Sequence, residues 1–364
     1  MNVDPKKAMI AMSGGVDSSV AALCMQRAGY SCTGVTMKLL NNDAYPELSF
    51  AKGCCSLEDS EDARAVCASL GMPFYVFDFM QNFRDTVIND FVEKYALGLT
   101  PNPCIVCNRE LKFKHLLTRA KQTGFDCLVT GHYANIFYNE STDRWQLAMG
   151  KDKDKDQSYV LYAMTQEQLA FTRLPLGSMT KQDVRQMANA LKLKTANKPE
   201  SQDICFIPNG DYVSYISKMQ PDLQQSGDIL AEDGTVLGKH KGIIGFTIGQ
   251  RKGIGVAGAR PYYVKHINYR NNTIVVATDE HICCKKAILN DINLISVSEQ
   301  TRPIELYAMH RYRGLLYPVS VYQSDNDELI VTFRDPQKAV TPGQAMVLYN
   351  NELVFGGGTI KSAS

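Results

Sequence analysis

One short stretch constrains this chain more than any other: Ser-Gly-Gly-Val-Asp-Ser-Ser at positions 13–19. The apolar residues 9–12 before it predict a buried strand, and apolar side chains at helical spacing from Val16 onward predict a helix. Two consecutive glycines permit positive φ angles and leave no Cβ in the way, so successive N–H groups can converge on an anion at the positive end of the helix. The stretch therefore predicts a phosphate-binding loop, in which Asp17 holds a cation that accompanies a polyphosphate.

A simpler alternative remains open, in which Gly14 and Gly15 form a tight turn while the serines and Asp17 cap the helix. Two common nucleotide-binding patterns are missing, because no Lys follows the last glycine and the spacing G-x-G-x-x-G does not occur. The pattern S-G-G-x-D-S-S after an N-terminal strand does resemble the pyrophosphate loop of the ATP pyrophosphatase superfamily. That resemblance implies an enzyme that makes an adenylated intermediate and releases pyrophosphate.

Length and charge set the broad class of the protein. A chain of 364 residues is long for one hydrophobic core, which predicts two or three domains. A net charge of +1 gives no global attraction to nucleic acid or membrane, so any site for a polyanion must be local. No apolar run approaches the length of a membrane span and no signal peptide precedes the first strand, so we expect a cytoplasmic protein without a membrane partner. The 11 scattered cysteines favour reduced thiols over a disulfide framework.

Strand and helix patterns alternate through the first 207 residues. Strands are predicted over residues 9–12, 31–39, 73–79 and 126–130, and helices over 16–28, 57–71, 82–97, 166–171 and 181–191. The alternation predicts an α/β domain with a parallel sheet and helices on both of its faces. Ligands of such sheets bind at the carboxyl ends of the strands, where the glycine loop lies. We expect residues 41–56 to form a mobile loop and the charge run 151–156 to form a surface loop.

The pattern changes beyond residue 207 to period-two alternation, which predicts a mainly β region. Predicted strands cover residues 262–269, 273–277, 319–322, 329–333 and 345–349, with turn signals at Asn271-Asn272 and Asn350-Asn351. A boundary near Thr278 would separate two small β domains. The sequence thus predicts an α/β domain over 1–207, a central β domain over 208–278 and a C-terminal β-barrel over 279–364.

Cys107 and Cys205 are the cysteines that stand out by context. Cys107 is predicted to lie just ahead of a helix that carries Arg109, Lys112 and Lys114, and both a helix N-terminus and nearby cations lower the pKa of a thiol. Cys205 follows a polar turn at the end of the α/β region. The alternative for each is a small buried side chain, the commonest role of a cytosolic cysteine. Cys104 and Cys107 also form half of a zinc pattern, but no second half with matching spacing exists.

Seven motifs in order along the chain resemble those of the bacterial tRNA-specific 2-thiouridylases, the tRNA-uridine 2-sulfurtransferases that act at the wobble position. They are Ser-Gly-Gly-Val-Asp-Ser, Thr-Pro-Asn-Pro-x-x-x-Cys-Asn, Thr-Gly-His-Tyr-Ala, Lys-Asp-Gln-Ser-Tyr, Ile-Cys-Phe-Ile, Thr-Ile-Gly-Gln-Arg-Lys-Gly and Thr-Pro-Gly-Gln. Each is weak alone, and together they cover the chain from residue 8 almost to its end. The resemblance implies an N-terminal domain of the adenine nucleotide alpha hydrolase-like type.

The resemblance also implies roles for residues at the matching positions. Cys107 matches the catalytic nucleophile, and Cys205 matches the cysteine that carries sulfur as a persulfide. The implied ATP-binding residues are Ala11, Met12, Ser13, Gly14, Gly15, Val16, Asp17 and Ser18, with Met37 and Gly131 around the adenosine. The implied tRNA contacts are Asn102, Pro103 and Cys104 at the target base, and His132, Lys155, Asp156, Gln157, Arg311, Tyr312 and Gln344 elsewhere. The implied partners are ATP with Mg²⁺, tRNA, and a sulfur-carrier protein or cysteine desulfurase.

Cys104 departs from the family pattern, because many members have Asp at this position, a carboxylate proposed to transfer a proton. Two alternatives to the 2-thiouridylase activity share its loop: an adenylating synthetase that acts on a small molecule, and an RNA-binding module that senses a nucleotide. A variant of the reaction would use Cys104, Cys107 and Cys205 to ligate an iron–sulfur cluster.

Overall fold

The structure, a computed structural model, describes residues 5–40, 57–198, 204–324 and 327–364. The loop predicted over residues 41–56 lies outside the described residues. By its contacts the chain divides into two compact units. The first unit comprises Met1–Val87, Cys104–Gly210 and Glu352–Val354, and the second comprises Ile88–Pro103, Asp211–Asn351 and Phe355–Ser364.

The strands are numbered in chain order: β1 (Lys7–Ala11), β2 (Ser31–Lys38), β3 (Phe74–Asp78), β4 (Cys127–Val129), β5 (Ala134–Asn139), β6 (Arg144–Met149), β7 (Thr172–Arg173), β8 (Gly227–Leu230), β9 (Val236–His240), β10 (Tyr263–Asn268), β11 (Thr273–Ala277), β12 (Cys283–Leu294), β13 (Ile304–Met309), β14 (Tyr317–Gln323), β15 (Leu329–Lys338), β16 (Ala345–Asn350) and β17 (Leu353–Ala363). The α-helices are α1 (Val16–Arg27), α2 (Leu57–Ser69), α3 (Met80–Phe83), α4 (Asn89–Ala96), α5 (Pro103–Val106), α6 (Leu117–Gln122), α7 (Ser158–Leu161), α8 (Gln166–Phe171), α9 (Lys181–Ala190) and α10 (Tyr212–Met219). Helical turns widen to the π type over Arg84–Ile88 and Cys107–Leu116.

The first unit is built on a parallel sheet in the order β3-β2-β1-β4-β7, which confirms the α/β prediction. Ala8, Met9 and Ile10 of β1 are fully buried, because β1 lies between β2 and β4 in the sheet and α1 packs against it. At the edge, β3 exposes Tyr75 and Val76. The chain moves from β1 to β2 on one side and to β4 on the other, so the carboxyl ends of β1 and β4 border the crevice in which such sheets bind ligands.

A hairpin of β5 and β6, which the sequence analysis missed, follows β4 directly. The two strands pair antiparallel from Ala134 with Met149 to Asn139 with Arg144. Leu353, which belongs to the same unit, pairs with Ala148 of β6. The hairpin places residues 150–157 immediately after β6, and this loop is part of the site described below.

The second unit contains two sheets, which confirms the prediction of mainly β structure after the α/β region. The smaller sheet has the order β10-β11-β8-β9 around a core that includes Ile229, Val264 and Ile274. The larger sheet runs β12-β15-β14-β13-β16-β17 and closes because β12 also pairs with β17. Asn272 and Asn351 adopt positive φ in the turns that the sequence predicted. The domain boundaries at residues 207 and 278 stay predictions.

Candidate active site

The glycine loop joins β1 to α1, and hydrogen bonds of its own serines hold it together. Gly14 has a φ of +70°, which favours glycine, and Gly15 is extended at the N-cap of α1. The Ser18 hydroxyl accepts a hydrogen bond from the N–H of Ser13 at 3.2 Å, and the hydroxyls of Ser18 and Ser19 donate to the carbonyl of Gly15 at 3.1 and 2.9 Å. The N-cap of α1 is Gly15, so neither a serine nor Asp17 caps the helix from that position. This helix N-terminus therefore suits an anion.

Two neighbouring elements approach the loop at backbone distance. A Cβ on Gly14 would come within 2.2 Å of the Asp59 carbonyl oxygen in the first turn of α2. A Cβ on Gly131, two residues after β4, would come within 2.8 Å of the Asp17 carbonyl carbon and 2.9 Å of the Ser18 nitrogen. The walls around the loop thus depend on two positions where a side chain has no room, and one of them is Gly131, predicted to border the adenosine.

Met37, the other residue predicted near the adenosine, is buried on β2 beside β1. Its neighbour Thr36 donates its hydroxyl to the carbonyl of Met12 at 2.9 Å, and Met12 donates its N–H to the carbonyl of Val35 at 2.8 Å. These bonds extend the β1–β2 pairing to the start of the glycine loop. The residues predicted to bind ATP are therefore gathered at the carboxyl ends of β1, β2 and β4.

Asp17 makes contacts that the sequence analysis did not find. The ammonium group of Lys181 donates to Oδ1 and Oδ2 of Asp17 at 2.7 and 2.8 Å, and the Tyr133 hydroxyl donates to Oδ1 at 2.7 Å. The cation beside Asp17 in this structure is thus a lysine. Lys181 begins α9, and the Thr180–Asp183 capping-box pattern marks that helix start in the sequence. That pattern predicts the start of α9, but it does not predict that Lys181 pairs with Asp17 of α1.

A second charged cluster links α2 to the end of the α/β region. Lys198 donates to Asp59 and to Asp62 at 2.6 Å each, and Lys194 pairs with Asp62 at 2.7 Å. Burial alone raises the pKa of Asp62, but the bonds from Lys194 and Lys198 outweigh it and lower that pKa below its usual value. Thr195, between these lysines, shares a buried hydrogen bond with Ser19 of α1 at 3.0 Å. Residues 194–198 are therefore fixed both to the loop helix and to α2.

The structure corrects the predicted position of Cys107. The helix begins four residues earlier, at Pro103, and Cys107 starts the π-type segment that continues it. Exposed Cys104 occupies the first turn, where the helix dipole acts most strongly. Arg109 and Lys114 both bind Glu110, at 2.9 and 2.8 Å, so part of the predicted positive charge is neutralised.

Cys205 is half-buried in a turn in which the N–H of Ile207 donates to the carbonyl of Ile204 at 3.0 Å. The next residue, Phe206, is buried with its ring 5.5 Å from that of Phe83, in an edge-on arrangement. Phe83 ends α3, which packs against the π-type segment that begins with Cys107. The turn of Cys205 is therefore linked to the helix of Cys107 through α3. Within the described part of the chain no three His, Cys, Asp or Glu side chains are grouped to hold a metal, so the three cysteines do not form a cluster site here.

His132, which the resemblance implies contacts tRNA, is buried in this structure. Its Nδ1 shares a hydrogen bond with the Thr130 hydroxyl at 2.7 Å, and its ring lies 6.0 Å from that of Phe113. Burial, aided by the positive charge of Lys112, lowers the pKa of His132 well below its usual value. His132 is therefore a neutral core residue in this conformation, and its contact with tRNA stays a prediction.

The polar groups of the loop after β6 also form hydrogen bonds within the protein. The Asp156 carboxylate accepts hydrogen bonds from the N–H of Gly150 at 2.8 Å and from the Ser158 hydroxyl at 2.7 Å. Gln157 pairs with both backbone groups of Tyr133, since its Oε1 accepts the Tyr133 N–H and its N–H donates to the Tyr133 carbonyl. This loop is thereby fixed to the residue whose hydroxyl binds Asp17. Contact of residues 155–157 with tRNA stays a prediction.

In the second unit, Gln344 holds the segment that leads to the predicted target-base residues. Its side-chain amide donates to the carbonyls of Thr100 and Pro101 at 3.1 and 3.2 Å, and the N–H of Thr100 donates to the carbonyl of Pro342 at 3.0 Å. Asn102 and Pro103 follow directly. Gln344 thus positions this segment, and its contact with tRNA stays a prediction.

Arg311 and Tyr312 lie in the turn between β13 and β14, where the Gly314 N–H donates to the Arg311 carbonyl at 3.0 Å. The guanidinium group of Arg313 lies 5.3 Å from the centre of the Tyr312 ring. Both arginines are exposed, as is Leu315 beside them. A turn that presents cations and an aromatic ring together suits the phosphates and bases of RNA.

Three family models match the chain in succession: a tRNA methyl transferase HUP domain over residues 6–209, a tRNA methyl transferase PRC-barrel domain over 215–278, and an aminomethyltransferase beta-barrel domain over 284–360. The tRNA-specific 2-thiouridylase MnmA of Clostridioides difficile (strain 630) is 43% identical over 98% of this chain and 99% of its own length. That of Clostridium perfringens (strain 13 / Type A) is 45% identical with the same coverage. The chain belongs to the tRNA-specific 2-thiouridylase family. These 2-thiouridylases share its whole length, so the match includes both β sheets as well as the phosphate loop.

Among the described residues, no helix combines the length and the apolar character needed to cross a membrane.

Proposed function

We propose that this protein is an ATP-dependent tRNA-uridine 2-sulfurtransferase, which adenylates the C2 oxygen of the wobble uridine and replaces it with sulfur. The observation that carries the proposal is the 43–45% identity to 2-thiouridylases over 98% of the chain. The N-terminus of α1 at the glycine loop, where Gly15 is the N-cap, supports it, because its N–H groups can bind phosphate.

The chemistry explains why ATP is needed. The C2 oxygen of uridine is a poor leaving group, and its transfer to the α-phosphate of ATP converts it into part of AMP, with release of pyrophosphate. The wobble base lies in a single-stranded anticodon loop, from which it can be extruded at a cost of a few kcal/mol, about the cost of unstacking. Asn102, Pro103 and Cys104 would border the extruded base.

Sulfur transfer then needs two thiols. A sulfur-carrier protein or cysteine desulfurase loads Cys205 with a persulfide. The terminal sulfur attacks C2, forms the C–S bond and displaces AMP, and the Cys107 thiolate attacks the Cys205 sulfur to break the S–S bond. The products are 2-thiouridine, AMP and a Cys107–Cys205 disulfide, which a dithiol reductant returns to two thiols. Phe206, next to Cys205, contacts α3, and α3 packs against the helix of Cys107. This arrangement supports a pairing of the two cysteines.

Mg²⁺ fits the loop as a companion of the nucleotide. Asp17 is the carboxylate at the loop, and no group of three acidic, His or Cys ligands exists within the described residues. A Mg²⁺ ion bound mainly by phosphate oxygens and water, with one carboxylate, is its usual mode in nucleotide sites. It would neutralise charge on the departing pyrophosphate.

The test is mass spectrometry of tRNA nucleosides after incubation with ATP, Mg²⁺ and a sulfide source, with AMP measured in parallel. We expect 2-thiouridine and AMP, both dependent on tRNA, and loss of 2-thiouridine in Cys205→Ser when persulfide is the sulfur source. Cys283→Ser, which changes an exposed thiol of the second unit, is the matched control. AMP formation on a small acid without tRNA would indicate a synthetase, and ATP binding without AMP formation would indicate a nucleotide sensor.

A further inference from the structure

Asn108 is a buried residue next to Cys107, and only one end of its side-chain amide is hydrogen-bonded. The residue is 4% exposed, and its Nδ2 donates to the carbonyl of Val160 at 3.1 Å. Its Oδ1 is buried and has no hydrogen-bond partner among the described residues. A buried acceptor without a partner is unfavourable, and an apolar side chain of similar size would avoid that cost. Packing alone therefore does not explain an amide at this position.

The carbonyl that Asn108 binds belongs to α7, a helix of four residues. The last carbonyls of a helix have no partner within it, so the Asn108 amide satisfies one of them. In the same turn, the N–H of Val160 donates to the carbonyl of Gln157 at 3.1 Å. Asn108 is thereby joined to the loop that precedes α7 as well as to the helix itself.

From Gln157 the hydrogen bonds continue to the phosphate loop. Gln157 binds the N–H and the carbonyl of Tyr133 at 3.0 and 2.9 Å, and the Tyr133 hydroxyl donates to Oδ1 of Asp17 at 2.7 Å. Tyr133 is itself buried, which restricts its movement. A continuous series of bonded residues, all within the first unit, results; we call it the Asn108 path, and it consists of Asn108, Val160, Gln157, Tyr133 and Asp17.

The helix that carries Cys107 has an unusual backbone at this point. Its segment Cys107–Leu116 is of the π type, which is rare, is mostly confined to single turns and is found frequently at functional sites. Cys107 is the first residue of the segment and Asn108 is the second. The Asn108 path therefore fixes the first turn of the segment, which carries the proposed nucleophile, relative to the phosphate loop.

We infer that Asn108 is a positioning residue for Cys107, and that its path to Asp17 sets the place of the Cys107 thiol relative to the reactants at the phosphate loop. The inference rests on the proposed sulfur transfer, in which the Cys107 thiolate attacks the Cys205 sulfur. That attack requires the thiolate to lie in line with the S–S bond, and a misplacement of about 1 Å can slow a reaction about 100-fold. The competing account is that Asn108 only satisfies the Val160 carbonyl.

The experiment compares two rates in a single turnover of the full-length protein, loaded with persulfide and mixed with ATP, Mg²⁺ and tRNA. Release of pyrophosphate reports adenylation, and formation of the Cys107–Cys205 disulfide reports the thiolate attack. Asn108→Leu removes both polar atoms at similar volume, and we expect it to slow disulfide formation about 10- to 100-fold more than pyrophosphate release. A purely structural role would change both rates by the same factor or leave both unchanged.

Gln26→Leu is the matched control, because Gln26 also donates its side-chain amide to a backbone carbonyl of another segment, that of Leu70, at 2.9 Å. The two rates in this variant should keep the parental ratio. The parental ratio in Asn108→Leu would overturn the inference in favour of the competing account. A parent that releases no pyrophosphate in the presence of tRNA would instead contradict the proposed function itself.

A second variant interrupts the same path at its other end. Tyr133→Phe keeps the buried ring and loses the bond to Asp17, so the ratio should change in the same direction, and this result decides the matter even if Asn108→Leu does not fold. The double variant should be no slower in disulfide formation than the more impaired single variant, because either change already interrupts the path. A parental ratio in Tyr133→Phe, or losses that multiply in the double variant, would overturn the inference.

Discussion

The carbonyl oxygen of Asp59 lies only 2.2 Å from the point where a Cβ atom on Gly14 would stand. Gly14 also has a φ of +70°, a conformation that residues with a side chain rarely adopt. Space and backbone conformation thus both require glycine here. The first turn of α2 packs directly on the phosphate loop, and the Lys198 cluster holds that turn in place.

Gly14→Ala should therefore destabilise the protein by about 1–3 kcal/mol, because either α2 or the loop has to move. Urea unfolding measures the change. Gly15→Ala is the matched control: its nearest heavy atom would be the Ser13 hydroxyl oxygen at 3.5 Å, and its φ is negative, so we expect a loss below about 1 kcal/mol. Equal losses in the two variants would contradict the packing of α2 on Gly14.

A substitution of Gly15 tests whether the loop binds phosphate, rather than how much the loop contributes to stability. Gly15→Val places a branched side chain at the start of α1, where a phosphate must approach, and the structure leaves room for the fold to survive. We expect AMP formation to be abolished while the unfolding transition remains cooperative. Undiminished AMP formation would remove the loop from the mechanism.

The Gln344 amide should control the mobility of the segment before Asn102. Gln344→Ala loses two hydrogen bonds, and Gln344→Glu places a carboxylate against the carbonyls of Thr100 and Pro101. We expect faster hydrogen exchange over residues 99–102 in both variants, by about 0.5–1.5 kcal/mol of local stability per bond lost, with the larger effect in Gln344→Glu. Unchanged exchange in both variants would show that the amide does not hold this segment.

The turn between β13 and β14 should supply part of the RNA affinity. Because the whole chain is nearly neutral, loss of Arg311 and Arg313 together should weaken tRNA binding and reduce the salt slope of log K by about 1–2. Replacement of Lys285 and Lys286 by Ala removes the same charge from exposed positions of β12 and is the control. The prediction fails if the two double variants have the same salt slope.

His310 gives a prediction for the pH dependence of stability. It is buried between Tyr317 and Phe333, its Nδ1 has no hydrogen-bond partner among the described residues, and burial, with the charge of Arg311, lowers its pKa to about 4. The unfolded chain takes up a proton near pH 6.5, so His310 contributes full stability above that pH and loses it as the pH falls toward 4. Between pH 6.5 and pH 4, the unfolding free energy of His310→Phe should therefore fall less than that of the parent, by at most about 3 kcal/mol.

Exposed His266 is the control for this measurement, because His266→Phe removes a histidine from the same unit without removing a buried one. Urea unfolding at several pH values between 4 and 7 compares the three proteins. If His310→Phe and the parent lose stability in parallel on acidification, the buried histidine does not drive the loss.

The phosphate loop was predictable because its signals are local: an apolar strand, two glycines and a helix within 20 residues. The charge partner of Asp17 was not predictable, because Lys181 lies 164 residues away along the chain and only the sheet order brings α9 next to α1. The buried state of His132 has the same origin, since its neighbour Phe113 lies in the separate π-type segment.

The start of the Cys107 helix could have been predicted from the sequence. Pro103 occupies the first helical position, where proline is favoured because its missing N–H is not needed. The prediction that Cys107 lies just ahead of the helix overlooks this preference of Pro103. The consequence is chemical, because the dipole acts on Cys104 more directly than on Cys107, which makes Cys104 the alternative nucleophile.

The most direct test of the account follows one labelled sulfur atom. Protein is loaded with ³⁵S persulfide, freed of external sulfur and reductant, and mixed with ATP, Mg²⁺ and tRNA for a single turnover. The account predicts label in 2-thiouridine, one AMP per sulfur, and a Cys107–Cys205 disulfide by peptide mapping; Cys107→Ser should carry the label but not release it to tRNA. Transfer by Cys107→Ser at the parental rate would contradict the account and make Cys104 the next candidate.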